Sequence, residues 1–150
     1  AITGGLPVSE LADRVKDVLV ELLNMNNTVD GVIVSTLEGL PLTWYAKNPE
    51  IIREEGRVAA AATVVFSTSE RNALDLGKGH IDHVIIRTER GYIILRLAGE
   101  DYIVAAVTDI NAKLGVVLRD LKWAADKIKE IIQKALIYAR YHAKAIGEQK

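Results

Sequence analysis

The chain contains no cysteine, which excludes disulfides, thiolate metal sites and a cysteine nucleophile. An excess of one charge is also missing: 19 basic and 20 acidic residues give a net charge of -1, which argues against a nucleic-acid binder held by a strong positive field. No apolar run approaches the roughly 20 residues needed to cross a bilayer. Residues 1–5 lack the regions of a signal peptide. We therefore expect a cytoplasmic protein that is stabilised by packing.

The N-terminal part of the chain predicts a helix followed by a β-hairpin. With 150 residues, 49% of them hydrophobic, the chain fits one globular domain. Ser9 is a good N-cap for a first helix, which the polar residues 24–27 end. Residues 32–37 and 40–46 predict two strands joined by a tight turn. Pro41 cannot donate a ladder hydrogen bond, so the second strand belongs at a sheet edge.

A second helix is predicted from Asn48 and Pro49 to about Leu76, with an interruption at Gly56 and with Gly77 as its terminator. Three strands follow, at residues 81–88, 92–98 and 102–108, and their short connections require antiparallel hairpins. The last two strands are almost continuously apolar, which indicates that both faces of the sheet are covered. A final helix begins near residues 109–111, and we expect its last turns to overhang the domain.

The second helix is apolar nearly all round, which is unusual for a helix that lies on a sheet. One side carries Val58, Ala62 and Phe66, and a roughly opposite side carries Ala60, Val64, Ser67 and Arg71. A chain of this length has little left to cover the second side. We therefore expect a second copy of the protein to cover it, in preference to the alternative that this side is partly in contact with water.

The element order resembles that of the roadblock family, which is named for a dynein light chain. The resemblance rests on the hairpin around residues 30–42, the alanine-rich helix, the three-strand meander and the segment 111–115 before a long helix, and it covers roughly residues 9–132. It implies an α+β (α/β) sandwich: a five-stranded antiparallel sheet with helices on both faces, in the order α-β-β-α-β-β-β-α. Residues 1–8 are then a lead-in, and residues 133–150 are a C-terminal helical extension.

The same resemblance implies a homodimer in which the middle helices pack together and strand 81–88 pairs with its copy. It also implies a Ras-like small GTPase as partner, on the side of the paired middle helices. The candidate dimer-interface residues are Ala60, Val64, Ser67, Arg71, Ile81, His83 and Ile85. The candidate partner-binding residues are Arg57, Thr68 and Asp75; the solubility of the helix surface explains the presence of these residues equally well.

Enzymatic motifs are missing, so we expect a protein without catalytic, cofactor or metal residues. No Gly-x-Ser-x-Gly elbow is present. Residues 77–80 lack the Walker spacing and are expected to be a helix C-cap rather than a phosphate loop. His80 and His83 point to opposite faces of a strand, which disfavours a metal pair.

Three functions remain open at this stage: a dimeric adaptor that modulates a small GTPase, a purely structural dimerisation module, and a sensor of a small ligand. The basic stretch 134–150 is expected to be a solvated helix end, ahead of partner docking, anionic lipid or nucleic acid.

Overall fold

The computed structural model describes residues 2–3 and 6–148, with side chains for residues 8–144. A short N-terminal hairpin, β1 and β2, precedes the main elements, and the order expected from the sequence is confirmed after it. The elements are β1 (Ile2–Thr3), β2 (Leu6–Pro7), α1 (Val8–Met25), β3 (Val29–Thr36), β4 (Pro41–Ala46), a 3-10 helix (Pro49–Ile52), α2 (Glu55–Asp75), β5 (His83–Thr88), β6 (Gly91–Ala98), β7 (Tyr102–Thr108) and α3 (Leu114–Glu148).

The main sheet has five strands in the order β4-β3-β7-β6-β5, and every neighbouring pair is antiparallel. Strand β4, which begins with Pro41, lies at one edge as the missing donor requires. Strand β6 lies between β5 and β7, because short turns join it to both. Strand β5 is therefore the other edge.

Helices cover both faces of this sheet, as the continuous apolar strands predict. Val32, Val34 and Val104 pack against α1 and α3 on one face, together with Leu19 and Ile128 of these helices. On the opposite face, α2 packs its buried residues against the remaining strand side chains, which are Ile33, Leu95, Ile103 and Ala105. The two faces alternate along each strand because successive side chains point to opposite sides.

The start of the second helix differs from the prediction. Asn48 does cap a helix, since its Oδ1 accepts from the Glu50 amide at 3.0 Å, but that helix is a short 3-10 turn. The break then falls at Arg53 and Glu54, and not at Gly56, which lies inside the first turn of α2. Glu54 has a φ of 46°, a left-handed conformation that reorients the chain before α2.

The other boundaries shift by a few residues. Helix α1 begins at Val8, one residue before the predicted cap at Ser9. Strand β5 begins only at His83, so a strand from Ile81 is wrong. Helix α3 begins at Leu114, later than predicted, because Asp109 Oδ1 accepts from the Asn111 amide at 2.8 Å and forms a turn first. Gly77 ends α2 as predicted, with a φ of 71°.

Candidate interaction surface

Helix α2 uses one face to anchor itself on the sheet. Ala59, Ala62 and Phe66 are buried there, and the small alanines let the helix lie close to the strands. The β3–β4 turn packs directly on the same helix: a Cβ added at Gly39 would lie 3.2 Å from the Ala60 Cα, and Gly39 has a φ of 89°. The position of α2 is thus fixed by buried contacts on one side only.

The opposite side of α2 is exposed and partly apolar. Val64 exposes 64% of its surface and Leu74 exposes 46%, and Ala60, Ser67 and Arg71 are exposed around them. A large aliphatic side chain that stays in contact with water contributes no hydrophobic stabilisation to the single chain. Covering it with another apolar surface is favourable. All four α2 residues predicted for a dimer interface therefore lie on one accessible surface, which we call the outer face of α2.

The three candidate partner-binding residues lie along the same outer face. Arg57 is exposed and pairs with Glu54, with 3.1 Å between Nη1 and Oε2. Thr68 is exposed near the middle of the helix, and Asp75 in its last turn lies 4.0 Å from the Arg71 guanidinium. These exposed ion pairs are weak, so the charged groups are available to a partner.

Strand β5 adds a second accessible surface at the edge of the sheet. His83 is half-buried and faces Arg96 of β6, whereas Ile85, opposite Ile94, exposes 38% of its surface. Val84 packs with the α2 cluster, so the strand carries apolar side chains toward both faces. An edge strand of this kind presents unpaired backbone groups together with apolar side chains, which favours pairing with another strand.

Ile81, the remaining interface candidate, lies before the strand in the connection from α2 to β5. It is half-buried against the α2 cluster, and its amide donates to Glu70 Oε2 at 3.1 Å. The other oxygen of the same carboxylate, Oε1, lies 2.5 Å from His80 Nδ1. The pKa of Glu70 lies below its usual value, mainly because of the hydrogen bond to His80 and secondly because of the hydrogen bond from the Ile81 amide. Through these two hydrogen bonds, Glu70 holds the α2–β5 connection against α2 just before β5 begins.

A shallow groove of about 360 Å³ lies beside the C-terminal half of α2. Phe66, Ser67 and Leu74 form one wall, and Leu37 and Leu97 at the ends of β3 and β6 form the other. The groove is mainly apolar and opens onto the outer face of α2. It therefore enlarges the apolar area that a partner can cover.

The two histidines of the motif lie in different elements. His80 lies in the α2–β5 connection and is bound to Glu70, whereas His83 lies in β5, so the two side chains do not converge. Among the described residues, no three His, Asp or Glu side chains are grouped so as to hold a metal ion. No helix in the described part of the chain is both long and apolar enough to span a bilayer.

Residues 15–108, more than half of the chain, match the Roadblock/LC7 domain family. This chain belongs to the Roadblock/LC7 family. An uncharacterized protein of Methanocaldococcus jannaschii is 34% identical to it over 110 residues, which are 72% of this chain and 93% of that protein.

Two solved structures share the fold of this roadblock chain. The gliding protein MglB from Thermus thermophilus has a TM-score of 0.73 at 20% identity and covers 83% of this chain and 92% of its own. A structure of MglB with a tetrameric arrangement has a TM-score of 0.75 at 22% identity, with 84% of this chain and 93% of that chain covered. At these identities the likeness establishes the fold.

The roadblock structure also contains features that sequence reasoning missed. Leu74 was not among the candidates, although it lies seven residues after Ser67 and so on the same helical face. Glu70 was missed because nothing local distinguishes it from other helical glutamates. Its partners His80 and Ile81 lie 10 and 11 residues away, beyond the helix end.

Proposed function

We propose that this roadblock protein is a homodimeric, non-enzymatic adaptor that binds and modulates a Ras-like small GTPase in the cytoplasm. The observation that carries the proposal is the outer face of α2, which is partly apolar and exposed in the single chain. Residues 9–132 would form the roadblock unit, and residues 133–150 an extension of α3.

The dimer would use the outer face of α2 and the open edge of the sheet together. Pairing of β5 with its copy satisfies the backbone groups of this edge and covers Ile85. The two α2 helices then lie near each other on one face of a continuous sheet, where Ala60 and Ser67 permit a close approach. Both surfaces belong to adjacent elements of the chain, which supports one continuous interface over two separate ones.

The GTPase would dock on the side of the paired α2 helices. Arg57 and Asp75 lie there with opposite charges and Thr68 between them is a neutral hydrogen-bonding group; such groups steer and select a partner more than they add affinity. The resemblance to roadblock proteins that dock on small GTPases supports this choice of partner. In this proposal the protein positions its partner through the charged and hydrogen-bonding groups of this surface.

The dimer is tested by Ala60→Glu and Val64→Glu, measured by sedimentation velocity. Each substitution places a carboxylate in the proposed interface, where an unpaired buried charge costs several kcal/mol, so we expect the mass to fall from twice 16.4 kDa to the protomer value. Ile110→Glu is the matched control, because Ile110 is as exposed as Val64 but lies in the β7–α3 connection. Variants that remain dimeric would contradict the placement of the interface.

The GTPase is tested by calorimetric titration with the Ras-like small GTPases encoded in the same genome, loaded with GDP or with a non-hydrolysable GTP analogue. We expect affinity to differ between the nucleotides by about fivefold or more. Thr68→Arg should weaken binding while leaving the dimer intact, and Arg90→Ala, in the β5–β6 turn, should leave both unchanged. Binding that ignores the nucleotide would favour the structural dimerisation module instead.

A further inference from the structure

The last part of α3 leaves the body of the domain. Ala135 exposes only 4% of its surface, but between residues 136 and 144 no side chain is buried. Ile137 exposes 65% and Tyr141 exposes 74%, and the two lie one turn apart. Ile137 and Arg140 also border a cavity against the β6–β7 turn. We call residues 133–144 the overhang.

The overhang differs from the rest of α3 in its charge. Between residues 119 and 130 four basic residues stand among three acidic ones, and exposed ion pairs join some of them, such as Lys122–Asp126 at 3.2 Å and Lys127–Glu130 at 3.8 Å. Residues 131–144 contain no Asp or Glu, whereas Lys134, Arg140 and Lys144 flank the exposed apolar pair. An exposed apolar centre with a ring of one charge has the composition of a docking surface for an acidic partner.

Helix α1 carries a surface of the opposite charge. Its acidic side chains recur at helical spacing and are all exposed on the side away from the sheet. Only one of them takes part in an ion pair within the helix, through Arg14 Nη2 at 3.0 Å from Glu10 Oε1. We call this surface the acidic stripe; its residues are Glu10, Asp13, Asp17 and Glu21.

The two surfaces match in length and in orientation. The acidic stripe extends over 12 helical residues and the cations of the overhang over 11, so each is about 15 Å long. Both point outward from the same layer of helices, because each lies opposite the buried face of its helix. The overhang does not lie on the acidic stripe of its own chain: Leu11, near the start of α1, lines the same cavity as Ile132 and Ala135, so α3 extends past the start of α1.

We propose that the overhang docks on the acidic stripe of a second copy of this chain. In the reciprocal arrangement each copy contributes one overhang and one acidic stripe, which gives a closed two-fold contact. Lys134, Arg140 and Lys144 then face carboxylates, and the phenol of Tyr141 donates to one of them. Ile137 packs on the half-buried Val20 and on the aliphatic stems of charged side chains.

The charges favour this occupant over two others. Direct pairing of two overhangs would bring like charges together, which is unfavourable. An anionic lipid surface that covered the overhang would also approach Glu10 and Asp13 at the adjacent start of α1, because both surfaces belong to one layer. The contact lies on the opposite side of the sheet from α2, so it does not depend on the dimer proposed above and would combine with it into a tetramer.

The first experiment is the dependence of mass on salt, followed by light scattering and sedimentation velocity in about 20 mM and about 500 mM NaCl. Screening over a shorter Debye length weakens exposed charge pairs, so we expect the association to weaken at least about tenfold at high salt. With the α2 dimer intact, the mass should fall from four to two times 16.4 kDa. In Val64→Glu it should fall from two copies to one, which separates the two interfaces.

The second experiment exchanges charges between the two surfaces. The stripe variant is Asp13→Lys with Asp17→Lys, and the overhang variant is Lys134→Glu with Arg140→Glu. Each variant alone has like charges on both of its surfaces, so we expect at least about a tenfold loss of association. An equimolar mixture restores opposite charges at both contacts, and we expect the larger species to return in it. Glu50→Lys with Glu55→Lys, near the start of α2, is the control and should leave the mass unchanged.

Two results would overturn the proposal. The first is that the wild-type protein has the same mass at low and high salt and that this mass does not exceed the mass of the stripe variant. The other is a mixture that does not regain the larger species although both variants are folded by circular dichroism. Flotation with vesicles of phosphatidylglycerol and phosphatidylcholine gives a further check: binding that is lost in the overhang variant, with self-association unchanged, would assign the overhang to a lipid surface instead.

Discussion

Two helices, α1 and α3, lie side by side on one face of the sheet, whereas α2 lies alone on the other. On the two-helix face, Leu19, Leu22 and Ile128 are completely covered by the chain itself. On the one-helix face, α2 buries Phe66 but leaves Val64 and Leu74 exposed. The comparison shows that a chain of this size covers one hydrophobic layer by itself and leaves apolar side chains of the other exposed.

The two layers also differ in how they use polar groups. Within the two-helix layer, Asn26 Nδ2 donates to the buried Asp120 Oδ2 at 2.9 Å, while Asn26 Oδ1 accepts from the Thr28 amide and hydroxyl. This connects the end of α1 to α3. Near α2, the corresponding polar contact is the Glu70–His80 pair, which joins α2 to the α2–β5 connection and in which His80 is exposed. Buried polar contacts of the first kind fix a geometry more strongly than exposed ones.

The largest difference is expected between Leu19→Ala and Val64→Ala. Leu19→Ala leaves a cavity in the two-helix layer and should lower the free energy of unfolding by about 2–5 kcal/mol. Val64→Ala removes an exposed side chain and should change the unfolding of the single chain by less than about 0.5 kcal/mol. Urea unfolding at the lowest practical protein concentration measures both, since a dimer adds stability that depends on concentration. Equal losses would mean that the chain itself covers the outer face of α2.

A smaller effect is expected from Asn26→Ala, which removes the polar connection between α1 and α3. The substitution leaves Asp120 Oδ2 and two Thr28 donors without their partner, so the free energy of unfolding should fall by about 1–3 kcal/mol. Asn24→Ala, at an exposed position of the same helix, should change it by less than about 0.5 kcal/mol. Similar values for the two variants would show that the buried bond does not hold the layer together.

The smallest effect is expected from Glu70→Gln, and it should depend on pH. Because the pKa of Glu70 is lowered in the folded chain, the ionised carboxylate stabilises the fold. This contribution is complete above the usual value of 4.5 and is lost as the pH falls through the lowered pKa. The stability of the wild type minus that of the variant, from thermal unfolding between pH 3 and 6, should therefore shrink toward low pH. Glu89→Gln, in the β5–β6 turn, serves as the control. If the stability difference between wild type and variant changes with pH equally for Glu70→Gln and Glu89→Gln, the effect comes from net charge and not from the hydrogen bonds of Glu70.

Much of the fold follows from local patterns in the sequence. The apolar spacing of α1 and α3, the short turns around β6 and the edge position of Pro41 each depend on residues close together in the chain. The outer face of α2 was likewise predicted from its composition, and Ala60, Val64, Ser67 and Arg71 do lie together on the accessible side. The break before α2 was placed wrongly because Glu54 adopts a left-handed conformation that a glycine adopts more readily.

The sequence alone determined the order of the elements, the antiparallel sheet and the presence of one helix with apolar residues on two sides, because helix and strand periodicities are local properties. The tertiary structure decided which residues cover that helix and which residue binds the α2–β5 connection. It also decided that Asn26 forms a hydrogen bond with Asp120, 94 residues later in the chain. These contacts join parts of the chain that approach each other only when the sheet and its two helical layers have formed.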